Sequence, residues 1–420
     1  MQLASLKAIV EPNDVMLIAP TGSGKTLAFL LPVLQLLKEA VNEVQVLIVV
    51  PSRELALQIE KVFRQMGTGF KVNAVYGGHS VRTEENNFQH PPAVLVGTPG
   101  RIGHHIRRKN LDLSKTHTLI LDEFDKSLEL GFTDDMEFII KNCKFLKKRI
   151  LTSATRPDEV PTFVGMKNSV SLNYTTEHEE LKSSLVLKSV KVQGDDKVDA
   201  LMLLLGKTGS NSTIVFCNHR EAVDRISSQL QQYKVDHGVY HGGLDQADRE
   251  KTIIKLRNGS IHILITTDLA ARGLDIPEIE FIIHYQLPAS EAIMTHRNGR
   301  TARMKATGTA YFLLDHEDHL PKFLPAIPLE EALPKKFIQP PSSEWKTLYI
   351  AAGKKDKINK MDVVGMLLQK GQLEKAELGK IDILDHSAYA AIKANKINKT
   401  LQLVREEKIK NKKIKMEIAS

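Results

Sequence analysis

Short runs of β-branched and aliphatic residues at 15–19, 46–50, 93–96, 118–121 and 150–152 punctuate the first part of the chain. Between them lie longer stretches of helical periodicity, such as Leu27 to Leu37 and Glu54 to Met66. Buried apolar strands alternating with helices predict a parallel sheet covered on both faces. The pattern restarts with TIVFC at 213–217, HILITT at 262–267 and FIIHYQL at 281–287, again with helical segments between. Asn173 to Glu180 is polar and aperiodic, which suits a linker. The two blocks are not sequence repeats, yet each predicts an α/β domain of similar size.

A second break follows Asp315, where Pro321, Pro325, Pro328, Pro334, Pro340 and Pro341 crowd together. Beyond it KTLYIAAG, a helical run from Lys360 to Leu368, KIDIL, AYAAI, a further helical stretch and KIKMEI predict a small β/α sandwich. The expected layout is a domain at 1–172, a linker at 173–183, a second domain at 184–325, a linker at 326–344 and a third domain at 345–420.

Composition agrees with several domains: 420 residues exceed one ordinary core, and 42% hydrophobic with 26% charged residues is a globular make-up. No apolar run approaches the ~20 residues needed to span a bilayer, and a secretory signal pattern is not seen at the start. Cys143 and Cys217 are too far apart in sequence to suggest a metal knuckle or a disulfide framework, so a reducing cytoplasm is the expected setting. The net charge of +8 is localised: residues 345–420 hold 17 Lys and Arg against 9 Asp and Glu, leaving the rest neutral. Such a segment fits a polyanion-binding appendage and, on charge alone, equally a solvated lysine-rich tail.

Residues 19–26 read APTGSGKT, directly after an apolar strand and before a helix. That context is the one a phosphate-binding loop needs, although Ala19 stands where the general pattern begins with Gly. Thr21, Gly22, Ser23 and Gly24 would wrap phosphate oxygens with backbone amides, and the helix N-terminus adds a favourable dipole. Lys25 would reach the β- and γ-phosphates of ATP, and the Thr26 hydroxyl would ligate Mg²⁺. Downstream, the run LIL ends in Asp122-Glu123-Phe124-Asp125. Asp122 is placed to hold the Mg²⁺ shell and Glu123 to orient the attacking water. In the second block lies His296-Arg297-Asn298-Gly299-Arg300-Thr301-Ala302-Arg303, from which Arg300 and Arg303 could stabilise charge developing on the γ-phosphate. They would have to reach it from the other domain, so hydrolysis would require closure of the two.

With these residues in order, residues 1 to about 320 resemble the DEAD-box RNA helicases. The resemblance implies two tandem RecA-like domains that bind ATP and Mg²⁺ and grip RNA by its backbone. Pro51-Ser52-Arg53-Glu54-Leu55, Gly77-Gly78 and Thr98-Pro99-Gly100-Arg101 match RNA-backbone motifs, making Pro51, Arg53, Gly78, Thr98, Gly100 and Arg101 candidate contacts. Ser153-Ala154-Thr155 matches the motif linking hydrolysis to strand separation. In the second domain Asn218, Gln246, Arg249 and Thr267 are the RNA candidates, while Gly273 and Asp275 would approach the nucleotide, Asp275 at the ribose. Gln2 aligns with the family's adenine-reading glutamine, without the aromatic residue that precedes it there. Phe124 replaces the family's alanine in the acidic motif, and Ala302 a glycine.

Residues from about Lys346 to Ile418 resemble the RNA-binding domain of the DbpA subgroup, an RRM variant. Tyr349 and Tyr389 are the sole base-stacking candidates on its expected strands, so backbone contacts through lysines such as Lys354, Lys355 and Lys357 are expected instead. The resemblance implies a bacterial, cytoplasmic, monomeric helicase tethered to 23S ribosomal RNA of the large-subunit precursor. Two other readings stay open on the residues: a DNA-acting motor of the wider superfamily, and a non-catalytic RNA clamp.

Overall fold

The computed structural model describes the chain except residues 21–22, 40, 79, 155–158, 176–184, 193–195, 272–275, 277–278, 302–306, 325, 411 and 420. It divides into two compact units, Met1–Ser183 and a second beginning at Ser184 that runs to the end of the chain.

The first unit runs α1 (Gln2–Val10), β1 (Val15–Ile18), α2 (Lys25–Leu36), β2 (Val46–Val49), α3 (Arg53–Gln65), β3 (Val72–Val75) and α4 (Val81–Phe88). It continues with β4 (Val94–Gly97), α5 (Pro99–Arg107), β5 (Thr118–Leu121), α6 (Phe124–Glu129), α7 (Thr133–Asn142), β6 (Lys148–Ser153) and β7 (Val170–Asn173). The strands form one parallel sheet in the order β3-β4-β2-β5-β6-β1-β7. Strands β2, β4 and β5 are buried along their whole length, as strands covered on both faces must be. Asn173, expected in a linker, instead pairs with Ile18 in β7. Local signals set the helix starts: Ser52 Oγ accepts from Leu55 N at 3.2 Å to cap α3, and Pro99 opens α5 where no amide is needed.

The second unit repeats the plan with β8 (Leu185–Lys191), α8 (Lys197–Thr208), β9 (Thr213–Phe216), α9 (Arg220–Gln232), β10 (Gly238–Tyr240), α10 (Gln246–Arg257), β11 (Ile263–Thr266), β12 (Phe281–His284), α11 (Glu291–Asn298) and β13 (Gly308–Leu314). Its sheet, β10-β11-β9-β12-β13-β8-β14, is also parallel and follows the same order as the first. The outermost strand, β14 (Leu329–Glu330), comes from the proline-rich stretch expected to be linker: Leu329 pairs with Lys188.

The third domain belongs to this unit. It has β15 (Trp345–Ile350), α12 (Lys360–Gln369), β16 (Leu378–Ile383), β17 (Ala388–Lys393), α13 (Ile397–Val404), a hairpin of β18 (Lys408–Ile409) and β19 (Lys412–Lys413), and β20 (Met416–Ile418). The antiparallel order is β16-β17-β15-β20. Leu348, Ile350, Ala388, Ala390 and Ile392 face its core, so Thr347, Tyr349 and Tyr389 lie on the opposite face. That face rests on the end of α10. Thr347 Oγ1 accepts from Asn258 Nδ2 at 2.9 Å and donates to Ser260 Oγ at 2.8 Å, and Arg257 is ion-paired with Asp382.

Candidate nucleotide and RNA site

The loop between β1 and α2 turns on Gly24, which caps the helix at φ +89°. A side chain there would stand 2.7 Å from Gln2 Nε2, so the Gln2 amide lies over the loop from the first residue of α1. Thr26 follows in the first turn of α2. Lys25 is nearly buried and folds back on its own loop, donating to Ala19 O and, at 3.0 Å, to Pro20 O. Thr21 and Gly22 lie outside the described residues.

Two strands away, β5 delivers Asp122 at its C-terminal end, the edge where ligands bind in open α/β sheets. Asp122 is buried; Thr152 donates its hydroxyl to Oδ1, and the amide of Glu123 donates to the same oxygen at 3.1 Å. Burial pushes the Asp122 carboxyl up despite the opposing hydrogen bond from Thr152 and the charge of Lys25. Glu123 sits in the left-handed region at φ +48°, ψ 51°, uncommon for a residue with a side chain. Phe124, by contrast, is 1% exposed and turned into the core that includes Leu121, Met136, Ile139 and Leu151. Its bulk is absorbed by packing in that core.

The RNA candidates of this unit gather on neighbouring loops and helix starts. Pro51 is buried at the exit of β2, Arg53 opens α3, and Thr98 caps α5, which carries Gly100 and Arg101. The Arg53 guanidinium lies 4.5 Å over the Tyr76 ring, beside Gly78, whose φ is +83°. Gly97 is required: a Cβ there would meet Val75 O at 2.7 Å.

In the second unit Arg297 is the hub. Fully buried, it donates to Asp268 Oδ1 at 2.6 Å, Asp268 Oδ2 at 3.1 Å, Asn218 Oδ1 at 2.7 Å and Gln286 O at 2.9 Å. The network ties Asn218 at the exit of β9 to the Thr266-Thr267-Asp268 turn at the exit of β11. Thr266 donates to Tyr240 O at 2.6 Å. Gln246 and Arg249 share the first turns of α10, Gln246 donating to Glu250 at 3.1 Å. Arg300 is 2% exposed and follows α11. Gly273, Asp275 and Arg303 lie outside the described residues. Sequence reasoning missed Thr152 and the role of Arg297, although one adjoins Ser153-Ala154 and the other stands within the arginine motif.

In the third domain Lys354 and Lys355 lie on a single 3₁₀ turn closed by Lys357 at φ +63°. Lys410 donates to Lys357 O and pairs with Asp362 at 2.8 Å, while Lys412 pairs with Asp356 at 3.5 Å. These contacts gather lysines from two distant segments on one edge. Tyr389 is buried against Tyr349, ring centroids 5.4 Å apart.

The chain matches the DEAD/DEAH box helicase family over residues 1–163, the helicase conserved C-terminal domain over 196–305 and the DbpA RNA binding domain over 347–418. It is 30% identical over 420 residues to the ATP-dependent RNA helicase DbpA of Escherichia coli K12, covering 98% of this chain and 92% of the relative. The chain belongs to the DEAD-box RNA helicases of the DbpA type. The DbpA helicase of Bacillus subtilis 168 is also 30% identical, over 455 residues, covering 100% of this chain and 94% of that one. Among solved structures, S. cerevisiae Dbp5 bound to RNA and ADP BeF3 superposes with a TM-score of 0.67 at 27% identity, covering 75% of this chain and 83% of that one. DEAD-box helicase Mss116 bound to ssRNA and UDP-BeF also gives 0.67, at 26% identity, with 75% and 69% covered. This helicase is thus an ATP-dependent RNA enzyme with two parallel-sheet lobes and a DbpA-type RNA-binding domain. Among the described residues no helix is long and apolar enough to cross a membrane.

Proposed function

We propose that this helicase hydrolyses ATP when RNA is bound, opens short duplexes nearby, and is tethered by its third domain to structured 23S ribosomal RNA during large-subunit assembly. The observation that carries this reading is the combination, in one chain, of a phosphate loop whose Lys25 faces the buried Asp122 with a lysine-lined domain whose sheet face is already occupied. That domain is left with its lysine edge for RNA, and lysines on backbone phosphates favour a folded RNA over a stacked single strand. The domains at about 1–172, 184–325 and 345–420 would take these three roles, the first sheet extended by Asn173 and the second by Leu329–Glu330, with the protein acting as a cytoplasmic monomer.

The residues fit ATP with Mg²⁺. Burial disfavours the charged Asp122 carboxyl, and a cation beside it would offset that cost; Mg²⁺ is commonly held by one or two carboxylates together with substrate phosphates. Thr26 and Asp122 would hold the ion, which supplies neutralisation of phosphate charge when bound. Lys25 would exchange its loop carbonyls for phosphate oxygens, with Thr21, Gly22, Ser23 and Gly24 around them. Gln2 would read the adenine edge and Asp275 the ribose, with Gly273 close by. Glu123 would hold the proton of the attacking water, and Arg300 and Arg303 would meet the developing charge on closure. Pro51, Arg53, Gly78, Thr98, Gly100, Arg101, Asn218, Gln246, Arg249 and Thr267 would hold the RNA backbone, and Lys354, Lys355 and Lys357 the tether RNA.

The test is steady-state ATPase activity against a panel of ribosomal RNA fragments, with the parent and a Lys354→Ala/Lys355→Ala/Lys357→Ala variant. The parent should prefer a 23S fragment, and the variant should lose that preference while keeping weak activation by many RNAs. Identical profiles would rule out the tether.

A further inference from the structure

Behind the surface carrying Arg53, Gly78 and Arg101, the first unit buries a carboxylate with no role so far. Glu84 stands on α4 in the run VRTEENNF, polar enough to read as a solvated helix, yet it is 1% exposed. Its Oε2 accepts from Arg101 Nε at 2.6 Å and from His105 Nε2 at 2.7 Å, and its Oε1 from Tyr76 N at 3.3 Å. Burial alone pushes the Glu84 carboxyl up, but the hydrogen bonds from His105, Arg101 and Tyr76 and the Arg101 charge outweigh it and hold it below the usual range. The group is therefore an ionised, acceptor-only carboxylate at neutral pH, and His105 must present Nε2–H to it. The His105 ring is fully buried, edge-on to Phe88 with centroids 5.0 Å apart, so it braces the carboxylate from behind.

The cluster reaches the other contacts too. Tyr76, whose amide anchors Glu84, carries the Arg53 guanidinium over its ring. Glu84 cannot meet RNA, because its side chain is sealed; Arg101, 12% exposed at its side chain, can. An arginine held in one orientation before binding loses less rotamer freedom when it meets a phosphate.

We propose that Glu84, braced by His105, is a positioning residue for RNA-backbone binding: it fixes the Arg101 guanidinium in the orientation that meets a phosphate. This rests on the reading of Arg101 as an RNA contact.

The test measures, for the full-length chain, ATPase activity against poly(U) concentration and nucleotide affinity without RNA. Glu84→Ala should raise the half-activating RNA concentration about fivefold, ~1 kcal/mol, with kcat at saturating RNA and nucleotide affinity unchanged. Glu84→Gln should rescue part of this, because its amide oxygen still accepts from Arg101 while its NH2 faces a donor. Should the alanine variant fail to fold, the glutamine variant carries the test, with a rise of about twofold expected. The Glu84→Ala/Arg101→Ala double variant should match Arg101→Ala alone, since the first residue acts through the second. An unchanged half-activating concentration in the Glu84 variants, a loss confined to kcat, or additive effects in the double variant would overturn the proposal. If Arg101→Ala itself leaves RNA activation unchanged, the reading of Arg101 fails and the proposal goes with it. If Arg101→Ala weakens activation and the Glu84 variants do not, only the proposal fails.

Discussion

Arg297 Nε lies 2.6 Å from Asp268 Oδ1, joining the last turn of α11 to the loop that leaves β11. The same guanidinium reaches Asn218 and the Gln286 carbonyl and lies 5.2 Å from the Phe216 ring centre, so one planar group holds four segments of the second unit. A lysine carries the charge but cannot make these forked contacts. Arg297→Lys should therefore destabilise this unit by ~2–3 kcal/mol, because the Asn218 and Gln286 oxygens lose their charged donor while the charge facing Asp268 is kept. Urea denaturation checks the loss, and a variant as stable as the parent would refute the hub role.

Phe124 yields a prediction of opposite character. Its ring is enclosed by the core beneath the acidic motif rather than by the site. Phe124→Ala should cost ~3–5 kcal/mol through the cavity it leaves. At a temperature where the variant remains folded, its RNA-stimulated kcat should stay within about twofold of the parent, as expected where the transition-state contacts are intact. A large fall in kcat there would place the ring in the chemistry.

Much of the fold was legible because interior parallel strands are apolar along most of their length: β2, β5, β9, β11 and β12 stand out as runs such as VLIV and TLIL. The edge strands were not. In β7 every second residue is exposed, and β3 reads VNAV, too short and polar to separate from a loop. The positions of Lys25, Asp122 and Arg300 in the fold could be read from sequence because each follows a strand or a helix in a known order. Glu84 and His105 could not, for their burial comes from α4 and α5 packing together, and nothing in VRTEENNF announces a partner far along the chain. The role of Arg297 was hidden by proximity: as one of three arginines in a short run, it differs from Arg300 only in what surrounds it.

Glu123 occupies a left-handed backbone conformation, which persists for a side-chain-bearing residue when the surroundings impose it. Here the Glu123 amide is held by Asp122 Oδ1 at 3.1 Å and Thr152 Oγ1 at 3.3 Å. Glu123→Gln preserves that backbone and the side chain's size but removes the carboxylate that, on the proposed function, would take a proton from the attacking water. Turnover should fall by about 10²–10⁴-fold, the range for loss of a general base, with ATP and RNA binding retained. Turnover near the parent rate would remove Glu123 from the mechanism.

The lysine edge of the third domain predicts a salt signature. Each phosphate neutralised contributes roughly 0.7–0.9 to the slope of log affinity against log salt. Replacing Lys354, Lys355 and Lys357 with alanine should therefore flatten the slope for a 23S fragment by roughly two to three. A weakened affinity with an unchanged slope would mean that these lysines act on the fold and not on phosphate.

His284 makes the stability of the second unit depend on pH. Its ring is buried, stacked on Phe312 with centroids 4.6 Å apart, and Nε2 donates to Asn298 Oδ1 at 3.0 Å. Burial, then the charge of Arg297, pull its pKa down to about 3, against the opposing hydrogen bond to Asn298. The unfolded chain protonates this residue near its ordinary value of ~6.5, whereas the folded chain does not until far lower pH. Between those values the unfolded state binds the extra proton, so stability rises with pH and falls on acidification, at up to ~1.4 kcal/mol per unit below ~6.5. His284→Gln keeps a donor for Asn298 but cannot titrate. The difference in unfolding free energy between parent and variant, measured from pH 7.5 to 5, should thus shift in the variant's favour as pH falls, which cancels contributions from the other histidines. A difference that stays flat across the range would show that the folded ring takes up a proton as readily as the unfolded one.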